Sequence, residues 1–203
     1  MENQNNQKKT KIFSVRFIAM TAMLSAVAFV LMFLDFNVPI MPFFIKMDIS
    51  ELPALVGTFA FGPVCGVLIC LIKNLLHLFI TTTGGVGELS NFLLGASMVL
   101  VAGIIYERKK TKMTATIAVF AGALVMGVIS FPINLFITYP FYFNFMEEAN
   151  VLKLYQAILP FVKTIPQCLI VFNAPFTFVK GLICALLAML IYKPLSPIIK
   201  GNR

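Results

Sequence analysis

The chain has 203 residues, of which 60% are hydrophobic and 12% are charged. A soluble domain carries about 25% charged residues, so this composition excludes an ordinary water-soluble protein and indicates that lipid is the solvent. The formal net charge of +8 comes from short basic clusters between apolar stretches, which membrane topology explains better than nucleic-acid binding. We therefore expect one all-α integral membrane domain over residues 1–203, without a nucleic-acid partner.

The first apolar segment, residues 12–34, is long enough to cross a membrane, because a spanning helix needs about 20 apolar residues. It ends at the polar, proline-bearing stretch 35–39. The next segment, residues 49–80, is ambiguous. It could form one long helix, or two short helices separated at Gly62-Pro63, which is a strong turn signal.

The distribution of basic residues decides between these alternatives. With a single crossing, the basic cluster at 107–112 would lie on the opposite side of the membrane from the basic cluster at 8–16, against the positive-inside rule. With two crossings, eleven of the sixteen Lys and Arg residues fall on the cytoplasmic side. We therefore predict six transmembrane helices with cytoplasmic N- and C-termini. The predicted helices cover residues 12–34, 50–61, 63–80, 88–106, 113–138 and 174–192.

Two parts of this prediction rest on proline signals. The fifth helix is expected to end before Tyr139-Pro140, and the sixth to begin at Asn173-Ala174-Pro175, which offers a cap followed by a proline in the first turn. The region 146–172 between them is interpreted as an outer loop or a surface helix.

Polar side chains collect near the outer ends of the predicted helices. An ionisable group at the centre of a span costs about 2.5 to 3.5 kcal/mol by insertion scales, so such groups tend to face protein or a wet cavity. The cytoplasmic halves of the last three helices are almost purely apolar, which favours an outward-facing pocket over a channel. Contact with lipid headgroups and interhelical hydrogen bonding are the alternatives for each residue alone. The residues concerned are Lys73, Asn74, His77, Glu88, Asn91, Asn134, Asn173 and Lys180.

The loop over residues 35–49 contains the apolar stretch 39–48, which has two prolines and no run long enough to span a membrane. It is interpreted as a pocket lid, in which Phe43 and Phe44 could pack on a flat ligand. The alternative is that these rings belong to an interfacial aromatic belt.

The first helix carries small residues at four-residue spacing, with Ala22 and Ala26 on one face and Ala19 nearby. In lipid this pattern allows another helix to approach closely, either in a partner protein or within this fold.

Several stretches together resemble the riboflavin-specific S components (RibU type) of energy-coupling factor (ECF) vitamin transporters. The resemblance runs through nearly the whole chain and includes Asn173-Ala174-Pro175-Phe176 followed by Lys180-Gly181 at the start of the last helix. The other stretches are KMDISELPAL at 46–55, FGP at 61–63, LIKNLLH at 71–77 and GGVGELSNF at 84–92.

This resemblance implies a multi-pass protein of the cell membrane that binds riboflavin near the outer surface, beneath the loop between the first two helices. Riboflavin would be the transported ligand, FMN a possible one, and no cofactor or metal is expected. The implied partners are a membrane T component, which the face with Ala19, Ala22 and Ala26 would contact, and two cytoplasmic ATPases.

The resemblance also implies roles for individual side chains. Asn134 and Lys180 match positions that hydrogen-bond the isoalloxazine edge, with Asn91 and Lys73 as neighbours, and Asn173 belongs to the same predicted site together with Phe43 and Phe44. Two alternatives remain open. One is an S component for another vitamin, and the other is an intramembrane enzyme using His77, Glu88 and Lys73, although no matched nucleophile or metal set accompanies them.

Overall fold

The computed structural model describes residues 14–42, 45–81 and 83–200, with side chains described as far as Ile191. Within this part the chain is a helical bundle with one small antiparallel pair of strands. The strands have two residues each and are β1 (Phe36–Asn37) and β2 (Lys46–Met47). Phe43 and Phe44 of the predicted lid lie outside the described residues. The helices are α1 Val15–Met32, α2 Glu51–Phe61, α3 Pro63–His77, α4 Val86–Arg108, α5 Lys112–Ile133, α6 Tyr139–Tyr142, α7 Glu148–Gln156, α8 Ile165–Cys168 and α9 Ala174–Lys200.

Five helical segments of the described chain are long and apolar enough to cross a membrane. Helix α2 is apolar but has 11 residues, which is about 16 Å of helix and roughly half the thickness of the hydrocarbon core. The five candidate spans are Val15–Met32, Pro63–Ile80, Val86–Arg108, Lys112–Tyr142 and Ile165–Ile191.

The chain turns sharply between α2 and α3. Gly62 adopts φ 98°, a conformation that residues with a Cβ rarely take, and Pro63 follows in the first turn of α3, where its missing N–H leaves no partner unsatisfied. Residues 49–80 therefore form two consecutive helices, of which α2 packs against α1, α3, α4 and α9.

Two prolines that the sequence analysis used as helix boundaries lie inside continuous helical segments. The fifth span continues past Pro140 to Tyr142, and the last begins at Ile165, with Pro166 in its first turn, well before the predicted start at 174. Each junction is a π turn, Asn134–Thr138 or Leu169–Asn173. In each, the residue just before the proline donates its N–H to a carbonyl five residues back, Tyr139 to Asn134 and Ala174 to Leu169. This wider turn lets the helix continue around a residue that cannot donate.

The last helix also extends to Lys200, beyond the predicted end at 192. The region 146–172 contains the short helix α7 and the beginning of the last span, so it is a surface helix followed by part of a span.

The core of the bundle is apolar and centred on α2, α4 and α5, with buried residues such as Leu55, Met98, Val99 and Met126. A second apolar cluster packs α7 against the two π-turn segments through Val151, Tyr155 and Leu169. This second cluster holds α7 beside the site described next.

Candidate functional site

A cavity of about 990 Å³ opens at one end of the bundle. We call this the cavity end, because its lining includes parts of the connections α1–α2, α3–α4 and α6–α7. Most of the exposed lining is apolar, with Met32, Leu94, Tyr142 and Phe176 among its residues. The opposite end of the bundle contains the turn at Gly62 and the basic stretch 108–112, since α4 runs from one end to the other.

Four of the predicted site residues line this cavity, namely Asn91, Asn134, Asn173 and Lys180. They come from α4, the two π turns and α9. These side chains come together because each lies near the cavity end of its helical segment. Asn134 donates from Nδ2 to the Ser130 carbonyl oxygen over 2.8 Å, and among the described residues no donor reaches its Oδ1.

Lys73 does not line the cavity. Its side chain is fully buried, and its ammonium group donates to Glu51 Oε1 over 2.8 Å and to the hydroxyl of Ser50. A ligand in the cavity would therefore meet Lys180 and Asn91 before Lys73.

Lys73 and Lys180 belong to a buried group of four charges, which we call the charge cluster: Asp48, Glu51, Lys73 and Lys180. Lys180 Nζ lies 2.7 Å from Asp48 Oδ2 and 3.6 Å from Glu51 Oε2. Glu51 Oε2 has no hydrogen-bond partner among the described residues. Buried charges are strongly unfavourable unless they are paired, and here two ammonium groups face two carboxylates. The cluster joins the α1–α2 connection to α2, α3 and α9.

The Asp48 carboxylate is held ionised by its neighbours. Burial alone would raise the pKa of Asp48, but the positive charges of Lys180 and Lys73 outweigh it and hold that pKa well below its usual range. Its Oδ1 also accepts from the Ser50 N–H, over 2.9 Å, and from the Ser50 hydroxyl, over 2.6 Å. This end of the connection is therefore fixed to α9 by a charged contact.

Asp48 and Glu51 were not among the site residues predicted from the sequence. The signal that could have identified them is charge balance. Two lysines within apolar helices require buried partners, and Asp48 and Glu51 are acids next to the start of the short second helix.

Other described residues of the α1–α2 connection also border the cavity. Asp35, Ile45 and Lys46 contribute to the lining, and the exposed Lys46 ammonium lies 2.9 Å from Asp35 Oδ2 across the hairpin. An exposed pair of this kind contributes about 0 to 1 kcal/mol, so the hairpin is anchored mainly at Asp48.

At the cavity rim, His77 Nδ1 lies 2.7 Å from Glu88 Oε1, while Glu88 Oε2 accepts from the hydroxyls of Thr81 and Thr83. This arrangement closes the turn between α3 and α4. Lys73, the third member of the hypothetical enzyme site, is paired with Glu51 instead. The three residues of that hypothesis therefore do not form one group.

Helix α1 presents two different faces. Thr21, Ser25 and Ala28 are buried against the bundle, whereas Ala19, Ala22 and Ala26 are exposed. The face of small residues is therefore not used in packing within the described chain.

Known proteins resemble this chain over almost its full length. The family model of the ECF transporter substrate-specific component matches residues 16–192. The riboflavin transporter RibU of Staphylococcus aureus is 32% identical over 97% of this chain and 98% of its own length. The riboflavin transporter FmnP of Bacillus subtilis is 25% identical over 93% of this chain and 96% of its own.

A solved structure of the S component of a bacterial ECF transporter superposes with a TM-score of 0.72, at 31% identity, over 91% of this chain and 97% of that one. Fold, length and family model agree, and they exclude the enzyme alternative, since the matching proteins are transporter subunits. The chain belongs to the family of substrate-specific components of ECF transporters.

Proposed function

We propose that this protein captures riboflavin in the cavity, at the outer face of the cell membrane, for ATP-driven uptake. The observation that carries the proposal is the cavity itself. Its volume of about 990 Å³ falls at the upper end of the range of about 300 to 1,000 Å³ for small-molecule sites, and a few amide and ammonium groups interrupt its apolar lining. The relatives in S. aureus and B. subtilis are named as riboflavin transporters, which supports this ligand over another vitamin.

The chemistry of the lining suits a flavin. An isoalloxazine ring is flat and apolar and has an edge of hydrogen-bond donors and acceptors. Asn134 offers a free carbonyl oxygen and a second N–H, and Lys180 offers an ammonium group, so the edge can be satisfied without water. Asn91 and Asn173 line the same space, and FMN would be accepted if its phosphate reaches solvent at the cavity mouth.

We further propose six transmembrane passes with both termini in the cytoplasm. In this arrangement α2 and its flanking connections complete the second pass. The basic stretch 108–112, at the end of the bundle opposite to the cavity, then lies in the cytoplasm, in accordance with the positive-inside rule. The cavity accordingly faces outward, and the α1–α2 connection acts as its lid.

We expect the purified protein to bind riboflavin. Asn134→Ala should weaken this binding at least about fivefold, because a lost hydrogen bond to the ligand costs about 1 kcal/mol of binding free energy. Equilibrium titration of riboflavin fluorescence measures both affinities. Asn150→Ala is the matched control, because Asn150 is an exposed amide on α7 that does not line the cavity. A folded wild-type protein that fails to bind riboflavin would refute the proposed ligand.

A membrane T component and two cytoplasmic ATPases are the proposed partners, because the chain belongs to the family of ECF transporter substrate-specific components. We assign the T-component contact to the exposed face of α1 with Ala19, Ala22 and Ala26. Small residues on an exposed face let a second helix approach closely within lipid.

Ala22→Trp is expected to leave riboflavin affinity unchanged and to reduce riboflavin uptake by cells severalfold, because the indole would separate the two helices. Co-purification with the T component should fall in parallel. Val128→Trp, at a residue of α5 that is 64% exposed, tests whether any large side chain on the lipid-facing surface has this effect. Normal co-purification of Ala22→Trp would assign the contact to another face.

A further inference from the structure

Three polar side chains from three separate elements form a closed ring of hydrogen bonds beside the cavity. They are Tyr139 of α6, Tyr155 of α7 and Asn173 of the second π turn. The Tyr155 hydroxyl donates to Asn173 Oδ1 over 2.7 Å, and Asn173 Nδ2 donates to the Tyr139 hydroxyl over 3.2 Å. The two tyrosine hydroxyls hydrogen-bond each other and close the ring.

Both tyrosine hydroxyl hydrogens are used within the ring. Tyr155 has one hydroxyl hydrogen, which goes to the amide oxygen of Asn173, so its own oxygen must accept from Tyr139. Burial raises the pKa of the Tyr155 phenol well above its usual range, so the group stays protonated and keeps its role as donor. All three residues are at least 95% buried, and rings of this kind strengthen each member cooperatively.

Only two of the three ring residues line the cavity. Asn173 and Tyr139 line the cavity, whereas Tyr155 does not. The Asn173 amide can make four hydrogen bonds, and the ring uses one N–H and one acceptor position. The other N–H and the other acceptor position remain for a ligand. Rotation of the amide would break both ring bonds, so Tyr155 limits the directions in which Asn173 can present these groups.

Tyr155 also connects α7 to the bundle. Helix α7 is a short surface helix outside the candidate spans, and Val151, one turn before Tyr155, lines the cavity. The ring is therefore a polar link between this surface helix and the ends of two spans at the site.

We propose that Tyr155 is a positioning residue for the ligand: it does not touch the ligand, but fixes the Asn173 amide that does. This inference rests on the proposed function, in that riboflavin is taken as the ligand. It adds a residue that neither the sequence analysis nor the lining of the cavity identifies.

The test compares wild type, Tyr155→Phe, Asn173→Ala and the double variant by equilibrium titration with riboflavin. We expect Tyr155→Phe to weaken binding about fivefold, the loss for one buried hydrogen bond. In the Asn173→Ala background the same substitution should change affinity less than about twofold, because its effect passes through Asn173. Equal losses in both backgrounds, or unchanged affinity in Tyr155→Phe, would overturn the proposal.

Tyr106→Phe is the matched control, since Tyr106 is a buried tyrosine on α4 about 18 Å further along the helix from Leu94, away from the cavity. It should bind riboflavin as wild type does. Tyr139→Phe opens the same ring from its other side and should show the same coupling to Asn173, which keeps the test decisive if Tyr155→Phe does not fold. Wild-type protein that binds no riboflavin refutes the proposed function and this inference together, whereas normal wild-type binding with an unaffected Tyr155→Phe refutes this inference alone.

Discussion

Lys180→Met is expected to lower riboflavin affinity at least about tenfold and to destabilise the fold. The substitution removes an ammonium group that lines the cavity, and it leaves Asp48 and Glu51 facing a single lysine. Losing a charged hydrogen-bond donor to the ligand costs about 1.5 to 3 kcal/mol, which corresponds to a roughly 10- to 100-fold change in a binding constant. Breaking the buried charge pair in addition destabilises the fold by about 3 to 5 kcal/mol. Because Asp48 is the anchor of the α1–α2 connection, we also expect that connection to detach from α9. Riboflavin titration and limited proteolysis within residues 35–49 measure the two effects.

A double variant separates the two contributions of Lys180. Combining Lys180→Met with Asp48→Asn removes the uncompensated carboxylate, so thermal stability should recover, while riboflavin affinity should stay low because the donor is still missing. Lys163→Met removes an exposed lysine and should change neither quantity. If Lys180→Met binds riboflavin with the affinity of wild type, Lys180 has no role in ligand binding.

Lys73→Met is expected to destabilise the fold by about 3 to 5 kcal/mol, because it removes the ammonium group that pairs with the fully buried Glu51 carboxylate. Because Lys73 is screened from the cavity, the effect should appear as a lower melting temperature in detergent, with riboflavin affinity reduced only as far as the folded fraction falls. This distinguishes Lys73 from Lys180, although both were predicted from the sequence to belong to the ligand site.

The compensating change is Glu51→Gln. Lys73→Met with Glu51→Gln leaves Lys180 paired with Asp48 and no uncompensated charge, so the double variant should be more stable than Lys73→Met alone. Equal melting temperatures for the single and double variants would show that the ion pair between Lys73 and Glu51 does not stabilise the fold.

Several residues of the cavity lining could be predicted because position along an apolar helix indicates depth. Asn91, Asn134, Asn173 and Lys180 occur at similar depths in three spans, and all four line one cavity. Lys73 occurs at a similar depth but faces α2, and depth alone does not give the direction of a side chain around the helix axis. The partners of the lysines were missed for a related reason, since Asp48 lies 132 residues from Lys180 in sequence.

The helix boundaries at Pro140 and Pro175 were placed differently by sequence reasoning because a proline normally ends a helix in water. In a membrane, exposed backbone groups are so unfavourable that the helix instead changes its hydrogen-bonding pattern and continues. The π turns at Asn134 and Leu169 do this, and they bring Asn134 and Asn173 to the cavity. The tyrosine and asparagine ring depends on both turns, and no periodic pattern in the sequence indicates either of them.

The net charge of the charge cluster determines how much energy its movement would gain or lose in the membrane potential. A single unpaired charge that moves through 100 mV gains or loses about 2.3 kcal/mol. With both lysines protonated and both carboxylates ionised, Asp48, Glu51, Lys73 and Lys180 sum to zero. Moving these four side chains together along the membrane normal therefore transfers no net charge, so the charge cluster itself adds no dependence on the resting potential of the cell.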